Sequence, residues 1–302
     1  MGGKKTSIEL IEEARESGIY SIAGLQLFEQ VENFKMSNQL KDDISYITEE
    51  LYEYLNSLQE FRDTNPGLKE FLSALKSEDI FENQKLEKEN PFMVELYLQT
   101  KKEKAIDKLI RIAKQNKELT KSEFLSVHNA LLYGTSSESD ESIRKDNNTF
   151  VGYYNQDNIH FDYFPIDYKE INTAILYLLE LYNNRLDEAF DNVFLQPFAV
   201  HGLLGALQIF NDGNTRLGRI MQHVKLWELI NETTEFEFEN PPIYATRTYI
   251  PLREQYRMLI CEIVKKNDND IWNDWFRFNL NRIEDQIYKN NENIKVLKRK
   301  IK

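Results

Sequence analysis

Apolar residues along this chain return every third or fourth position, the period that gathers them on one face of an α-helix. Ile8, Leu10 and Ile11, then Leu25, Leu27, Phe28 and Val31, then Ile44, Ile47, Leu51 and Leu55 predict amphipathic helices over residues 6–60. Asn65-Pro66-Gly67 interrupts them as a turn, and the charged stretch from Lys85 to Pro91 marks a boundary near residue 90. The helical period resumes over 93–134, where Thr120 and Glu123 stand at the N-cap and N3 positions of a capping box. Residues 135–165 break it. They begin polar and then become rich in Val, Tyr, Phe and Ile, which predicts a β-hairpin turning at Asn155-Gln156-Asp157-Asn158. Beyond Pro165, helices are predicted over about 168–185, 190–207, 215–231, 248–266 and 270–286, and residues 287–302 form a basic tail. The pattern is mainly α, with an N-terminal helical region at 1–90 and one small hairpin.

Composition narrows the function classes. With 38 Lys+Arg against 50 Asp+Glu, a formal charge of −12 over 302 residues opposes direct wrapping by nucleic acid, which draws on dense basic patches. A nucleotide in a pocket stays compatible with that charge. The single cysteine, Cys261, cannot form an internal disulfide, and His and Cys are too few for a structural zinc framework, so a reducing, cytoplasmic setting is expected. The opening MGGKKTSIELIEEARE places acids where a signal peptide needs an apolar run, and no segment reaches about 18 apolar residues, so no membrane contact is expected.

Chemistry concentrates at Gln208-Ile209-Phe210-Asn211-Asp212-Gly213-Asn214-Thr215-Arg216-Leu217-Gly218-Arg219, between two apolar helical segments. Asp-Gly-Asn is a tight turn where the second helix begins, and a helix start offers free backbone N–H groups and a positive dipole end to an anion. Arg216 and Arg219, three residues apart, share one side of that helix and can address the same anion. Asp212 is suited to a divalent cation bridging phosphates. The same residues also suit a plain helix–turn–helix with two surface arginines, and spacing alone leaves both readings open.

The segment resembles the signature of the Fic (Fido-domain) family, His-x-Phe-x-Asp/Glu-Gly-Asn-Gly/Lys-Arg-x-x-Arg, at Phe210, Asp212, Gly213, Asn214, Arg216 and Arg219. Two positions depart from it: Gln208 stands at the catalytic histidine and Thr215 at the usual Gly or Lys. The likeness extends to His201 and Pro197 in the preceding helix, to His128 within Leu119–Gly134, to Ile143-Arg144, Val151-Gly152 and Tyr163-Phe164-Pro165 around the hairpin, and to Tyr256 and Trp272–Phe276 near the end. The resemblance implies a Fic-type helical core over 91–286 with a hairpin flap. It also implies a nucleotidyltransferase ancestry in which ATP with Mg²⁺ donates AMP to a protein Ser, Thr or Tyr hydroxyl.

Carried over residue by residue, Asp212 would hold Mg²⁺. Gly213, Asn214 and the Thr215 N–H would line the phosphate nest, Arg216 and Arg219 would neutralise distal phosphates, and Phe210 would anchor the loop. The flap at about 148–163 would align a protein partner by strand addition. Gln208 cannot serve as general base, because an amide has no basic lone pair near neutral pH, and losing that assistance typically costs about 10²–10⁴-fold in rate. His201 lies two helical turns back, about 10 Å away. His160 on the flap is the nearer substitute, while His128 and His223 read as structural.

The family's inhibitory pattern, Ser/Thr-x-x-x-Glu-Gly/Asn, whose Glu pairs with the second motif arginine, finds its closest N-terminal match at Ile19–Gly24, with Ala23 at the Glu position. That register leaves Arg219 free for phosphate. Two functional readings follow: a transferase of impaired or altered activity, or a catalytically inactive Fic domain that regulates by binding nucleotide or protein. Apolar residues in the N-terminal helices also suit burial against a second copy of the chain.

Overall fold

The computed structural model of the protein describes residues 7–18, 26–64, 67–86, 103–133, 135, 137–138, 143–155, 158–184, 192–266 and 268–300. Helices α1 (Ser7–Glu16), α2 (Gln26–Glu32), α3 (Asn38–Thr64) and α4 (Leu68–Leu86) form the N-terminal part. Helices α5 (Ala105–Ala113) and α6 (Lys121–Leu132) follow, then the antiparallel strands β1 (Val151–Asn155) and β2 (Asn158–Tyr163). After the hairpin come α7 (Ile171–Asn183), α8 (Leu195–Leu207), α9 (Asn214–Thr233), the short α10 (Thr246–Tyr249), α11 (Arg253–Lys265) and α12 (Asn269–Lys300). The mainly α reading with a single hairpin among the described residues therefore holds.

The centre of the fold is the α8–α9 pair, the most extensively contacting helices among the described residues. Every residue of α8 is buried, so it shows almost no polar face, and α9 is buried along nearly its whole length. Their close approach needs glycine: a Cβ on Gly218 would meet the His201 ring at 2.7 Å. Around this pair stand α5, α7, α11 and α12, and α6 packs on α5. The start of α6 is fixed as its sequence predicts. The Thr120 hydroxyl accepts the Glu123 N–H at 3.3 Å, and the Glu123 carboxylate accepts the Thr120 N–H at 3.1 Å, which completes the capping box.

Two expectations about the ends are changed. Residues 287–300 are not a separate basic tail but the continuation of α12, which lies against α3. Ile283, Ile287 and Ile294 are buried at helical spacing, and the buried Asn290 fills the gap in that stripe by donating to the Tyr54 hydroxyl at 2.9 Å. Apolar residues of α2–α4 and of all later helices belong to one core cluster, so among the described residues α2–α4 have no core of their own, while Ile11 and Ala14 of α1 pack with Phe164. The predicted boundary near residue 90 and the hairpin tip at 156–157 lie outside the described residues.

The hairpin is tied to the molecule at its root. Ile143 bridges to Phe210, the Tyr163 hydroxyl donates to the Gly205 carbonyl at 3.1 Å, and Asp162 of β2 pairs with Arg257 of α11.

Candidate functional site

The loop between α8 and α9 is held by two left-handed residues, Gln208 (φ 49°) and Gly213 (φ 82°). At Gly213 a side chain is disfavoured twice over: the backbone is strained for other residues, and a Cβ would lie 3.1 Å from both His128 Nε2 and Leu132 Cδ2, close enough that they must give way. Phe210 stacks on the His128 ring with centroids 3.6 Å apart, anchoring the loop as expected. His128 Nε2–H donates to the Asp212 carbonyl at 2.7 Å, and burial pushes its pKa down to about 4, so it is a neutral structural donor. Asn214 uses its amide like a strand partner, accepting the Phe210 N–H and donating to the Phe210 carbonyl, each at 2.9 Å.

Gln208 is held by three hydrogen bonds. Its Nε2 donates to the Gly205 carbonyl at 2.6 Å, its Oε1 accepts from Asn214 at 3.0 Å, and its own carbonyl accepts from Arg144 Nε at 2.6 Å. Arg144 is buried with three carbonyl acceptors, Gln208, Asp146 and Ile166, and burial with nearby Arg15 lowers its pKa to about 10. Gln208 thus closes α8 and fixes Asn214.

The charged residues converge as the sequence suggests, but on different partners. One Asp212 oxygen accepts the Gly213 N–H at 2.6 Å and the other accepts from Arg216 at 2.6 Å. Burial opposes its ionisation, yet the Arg216 charge and hydrogen bonds from Ser137, Arg216 and Gly213 hold its pKa below the usual carboxylate value. Arg216 and Arg219 are 1% and 0% exposed, so the reading of two surface arginines fails. Arg216 donates to Gln84 Oε1 at 2.7 Å, and Arg219 donates to Asn83 Oδ1 at 2.7 Å and to the Tyr256 hydroxyl at 3.2 Å.

Arg219 is therefore not left open for phosphate, contrary to the expectation drawn from Ile19–Gly24, a segment outside the described residues. The helix that reaches it is α4. Asp79 accepts the Thr246 N–H at 3.0 Å and lies 3.4 Å from His223 Nδ1, so Asp79, Asn83 and Gln84 of α4 face His223, Arg219 and Arg216 of α9. These three α4 residues were missed. Nothing in the sequence marks them as buried, and the one signal was Glu82-Asn83, similar to the Glu-Asn ending of the inhibitory pattern, with Glu78 in place of its Ser/Thr.

Of the other three histidines, His201 of α8 and His223 of α9 are buried. His201 sits in a buried relay: Arg219 donates to the Tyr256 hydroxyl, Tyr256 donates to His201 Nε2 at 2.8 Å, and His201 Nδ1–H donates to Gln222 at 2.5 Å. Burial and then the Arg219 charge keep its pKa well below the usual value. His223 Nε2 accepts the Ala245 N–H at 3.1 Å. His160 is half-exposed on β2, stacked on Tyr153 and 3.4 Å from Asp162.

A cavity of about 120 Å³ remains beside Gln208 and Thr215, between Val151 and Tyr163 of the hairpin and Arg253, Tyr256 and Arg257. Sites for drug-sized ligands occupy about 300–1,000 Å³. In this arrangement the residues do not fit Mg-ATP, because Asp212 is engaged through both oxygens and the motif arginines by α4. Among the described residues no group of three or more His, Cys, Asp or Glu is placed to hold a metal ion, and no helix is long and apolar enough to cross a membrane.

The site thus lies on a buried helix pair joined by a tight loop, with a hairpin rooted on that loop. A solved Fic family protein from Desulfovibrio desulfuricans G20 is similar to this chain with a TM-score of 0.61, over 86% of this chain and 76% of that one, at 15% identity. The fold is that of a Fic family protein. No protein-family model and no curated protein matches the chain.

Proposed function

We propose that this protein is a Fic-type domain of AMP-transferase ancestry in which transfer is disabled, and that it acts as a regulator through binding at the same loop. The observation carrying this reading is Gln208: an amide with no basic lone pair, already bonded to Gly205 and Asn214. The engagement of Arg216 and Arg219 by α4 supports it further, since Mg-ATP at Asp212 and the nest would require those amides to leave. A protein partner would approach the flap at 148–163, whose β1 and β2 form an isolated two-stranded sheet.

A second reading, slow transfer to a protein hydroxyl, draws support from Asp212. It is held ionised, its side chain is 40% exposed, and it stands at the N-terminus of α9 beside an intact Gly213-Asn214 turn. Labelling with radioactive ATP and Mg²⁺ separates the two. The protein and its Gln208→Ala variant are expected to show the same background labelling of themselves and of candidate targets. Transfer by the unmodified protein that disappears in Asp212→Ala would establish the second reading and end the first.

A further inference from the structure

The C-terminal half of α9 borders a groove at the opposite end of that helix from the loop. It measures about 1,020 Å³, the upper end of the range for sites that bury a drug-sized ligand. One wall is the segment after α9, Glu235-Phe236-Glu237-Phe238-Glu239, in which both phenylalanines are buried and all three glutamates exposed. That alternation is the period of an extended backbone, so the carboxylates leave one face at about 6.8 Å intervals, twice the rise of a strand. The row is built in. Asn231 accepts the Phe238 N–H at 3.1 Å and donates to the Phe238 carbonyl at 3.0 Å, Trp227 Nε1 donates to the same carbonyl at 2.7 Å, and Arg62 donates to the Glu237 carbonyl at 3.3 Å. The carboxylates of Glu235, Glu237 and Glu239 have no side-chain partner among the described residues.

The buried part of the lining carries a second, independent feature. Lys225 is 6% exposed, yet it borders the groove, with its ammonium 5.2 Å from the Tyr182 ring centre and 3.7 Å from Glu228. That separation is too long for a hydrogen bond, and the ammonium donates none among the described residues. Three N–H donors at a nearly buried position thus await an acceptor from outside the chain. Other cations of the lining are used elsewhere: Lys117 pairs with Glu123 at 2.6 Å, and Lys114 stands at the C-cap of α5, where a positive charge meets the helix dipole. We infer that the groove receives an extended, Lys- or Arg-bearing segment of a partner protein, with alternate basic side chains on Glu235, Glu237 and Glu239 and a backbone carbonyl on Lys225. The spacing is complementary, because alternate side chains of an extended peptide repeat at the same interval as the glutamate row. A net charge of −12 on the chain draws such a segment in.

The test is isothermal titration of a short blocked peptide of alternating Lys and Ser into the full chain at low ionic strength, with spermine titrated in parallel. Saturable peptide binding is expected, weakened about tenfold when Glu235→Gln, Glu237→Gln and Glu239→Gln are combined, and unchanged by Glu254→Gln on α11. Lys225→Met should weaken the peptide but not spermine, a polycation that has no carbonyl to offer. Absence of saturable binding, full affinity in the triple variant judged folded by circular dichroism, or spermine bound as tightly as the peptide overturns the proposal. The groove and the loop lie at opposite ends of α9, so these outcomes stand apart from those of the labelling assay.

Discussion

Burial sets the protonation of His128, and that makes one residue a reporter for the whole loop. The native state holds its imidazole neutral with a pKa of about 4, whereas the unfolded chain titrates near its ordinary value of about 6.5. As pH falls below that ordinary value, the unfolded state takes up a proton that the native state refuses. Stability present at neutral pH is therefore lost progressively between about pH 6.5 and pH 4, on the order of 3 kcal/mol in all. His201, also kept neutral by burial, adds to the loss in the same direction. Urea midpoints at pH 7 and pH 5 check this. The unmodified protein should lose more stability between the two than His128→Gln, which keeps a donor for the Asp212 carbonyl but has nothing to protonate. Equal losses would mean that His128 is solvated in the native state.

At the scale of elements, the contact between α4 and α9 decides what the motif can do. Two buried guanidinium groups each take one acceptor from a neutral amide of α4, beside Asp212 for Arg216 and Tyr256 for Arg219, so removing an amide leaves part of a buried charged donor without its acceptor. Asn83→Ala and Gln84→Ala should each destabilise the protein by roughly 1.5–3 kcal/mol, read as lowered urea midpoints, with faster hydrogen exchange along α4 than along α8. Unchanged midpoints would show that water replaces the amides at no cost.

The sequence carried this element only in part. Leu68, Leu72 and Leu75 carry a helical period in α4 that was not read as an element, whereas the Asp212-Gly213-Asn214 turn is plain because left-handed backbone selects glycine. What Arg216 and Arg219 bind was not legible, since their partners lie 132 and 136 residues earlier and a buried amide reads like any exposed one in a single sequence. The end of α12 was misread for a related reason. Asn290 interrupts the apolar stripe, and nothing local shows that Tyr54 waits for it.

Across the whole molecule, the long α12 is the clasp that makes the N-terminal helices part of the Fic-type core. It contacts α3, α8, α10 and α11, so one helix touches both the outer layer and the central pair, beside the direct contacts of α2 with α8 and of α4 with α9. Side-chain bonds repeat that connection: Asn273 Oδ1 accepts the Ser37 N–H at 2.9 Å, Arg277 pairs with Asp43 at 2.7 Å, and Asn290 meets Tyr54, whose hydroxyl donates to the Pro242 carbonyl at 2.7 Å. Because α3 and α4 share one apolar core with α8 and α9, the seating of α4 on the motif arginines is coupled to that clasp. A cavity made far from the loop should consequently loosen it. Ile294→Ala, at a residue 2% exposed, is expected to destabilise by about 2–5 kcal/mol. Calorimetry should still show one cooperative transition, and hydrogen exchange should rise in α3 and α4 together. Two separate transitions, or faster exchange confined to the end of α12, would mean that the N-terminal helices fold independently and that α4 can leave the arginines without disturbing the rest.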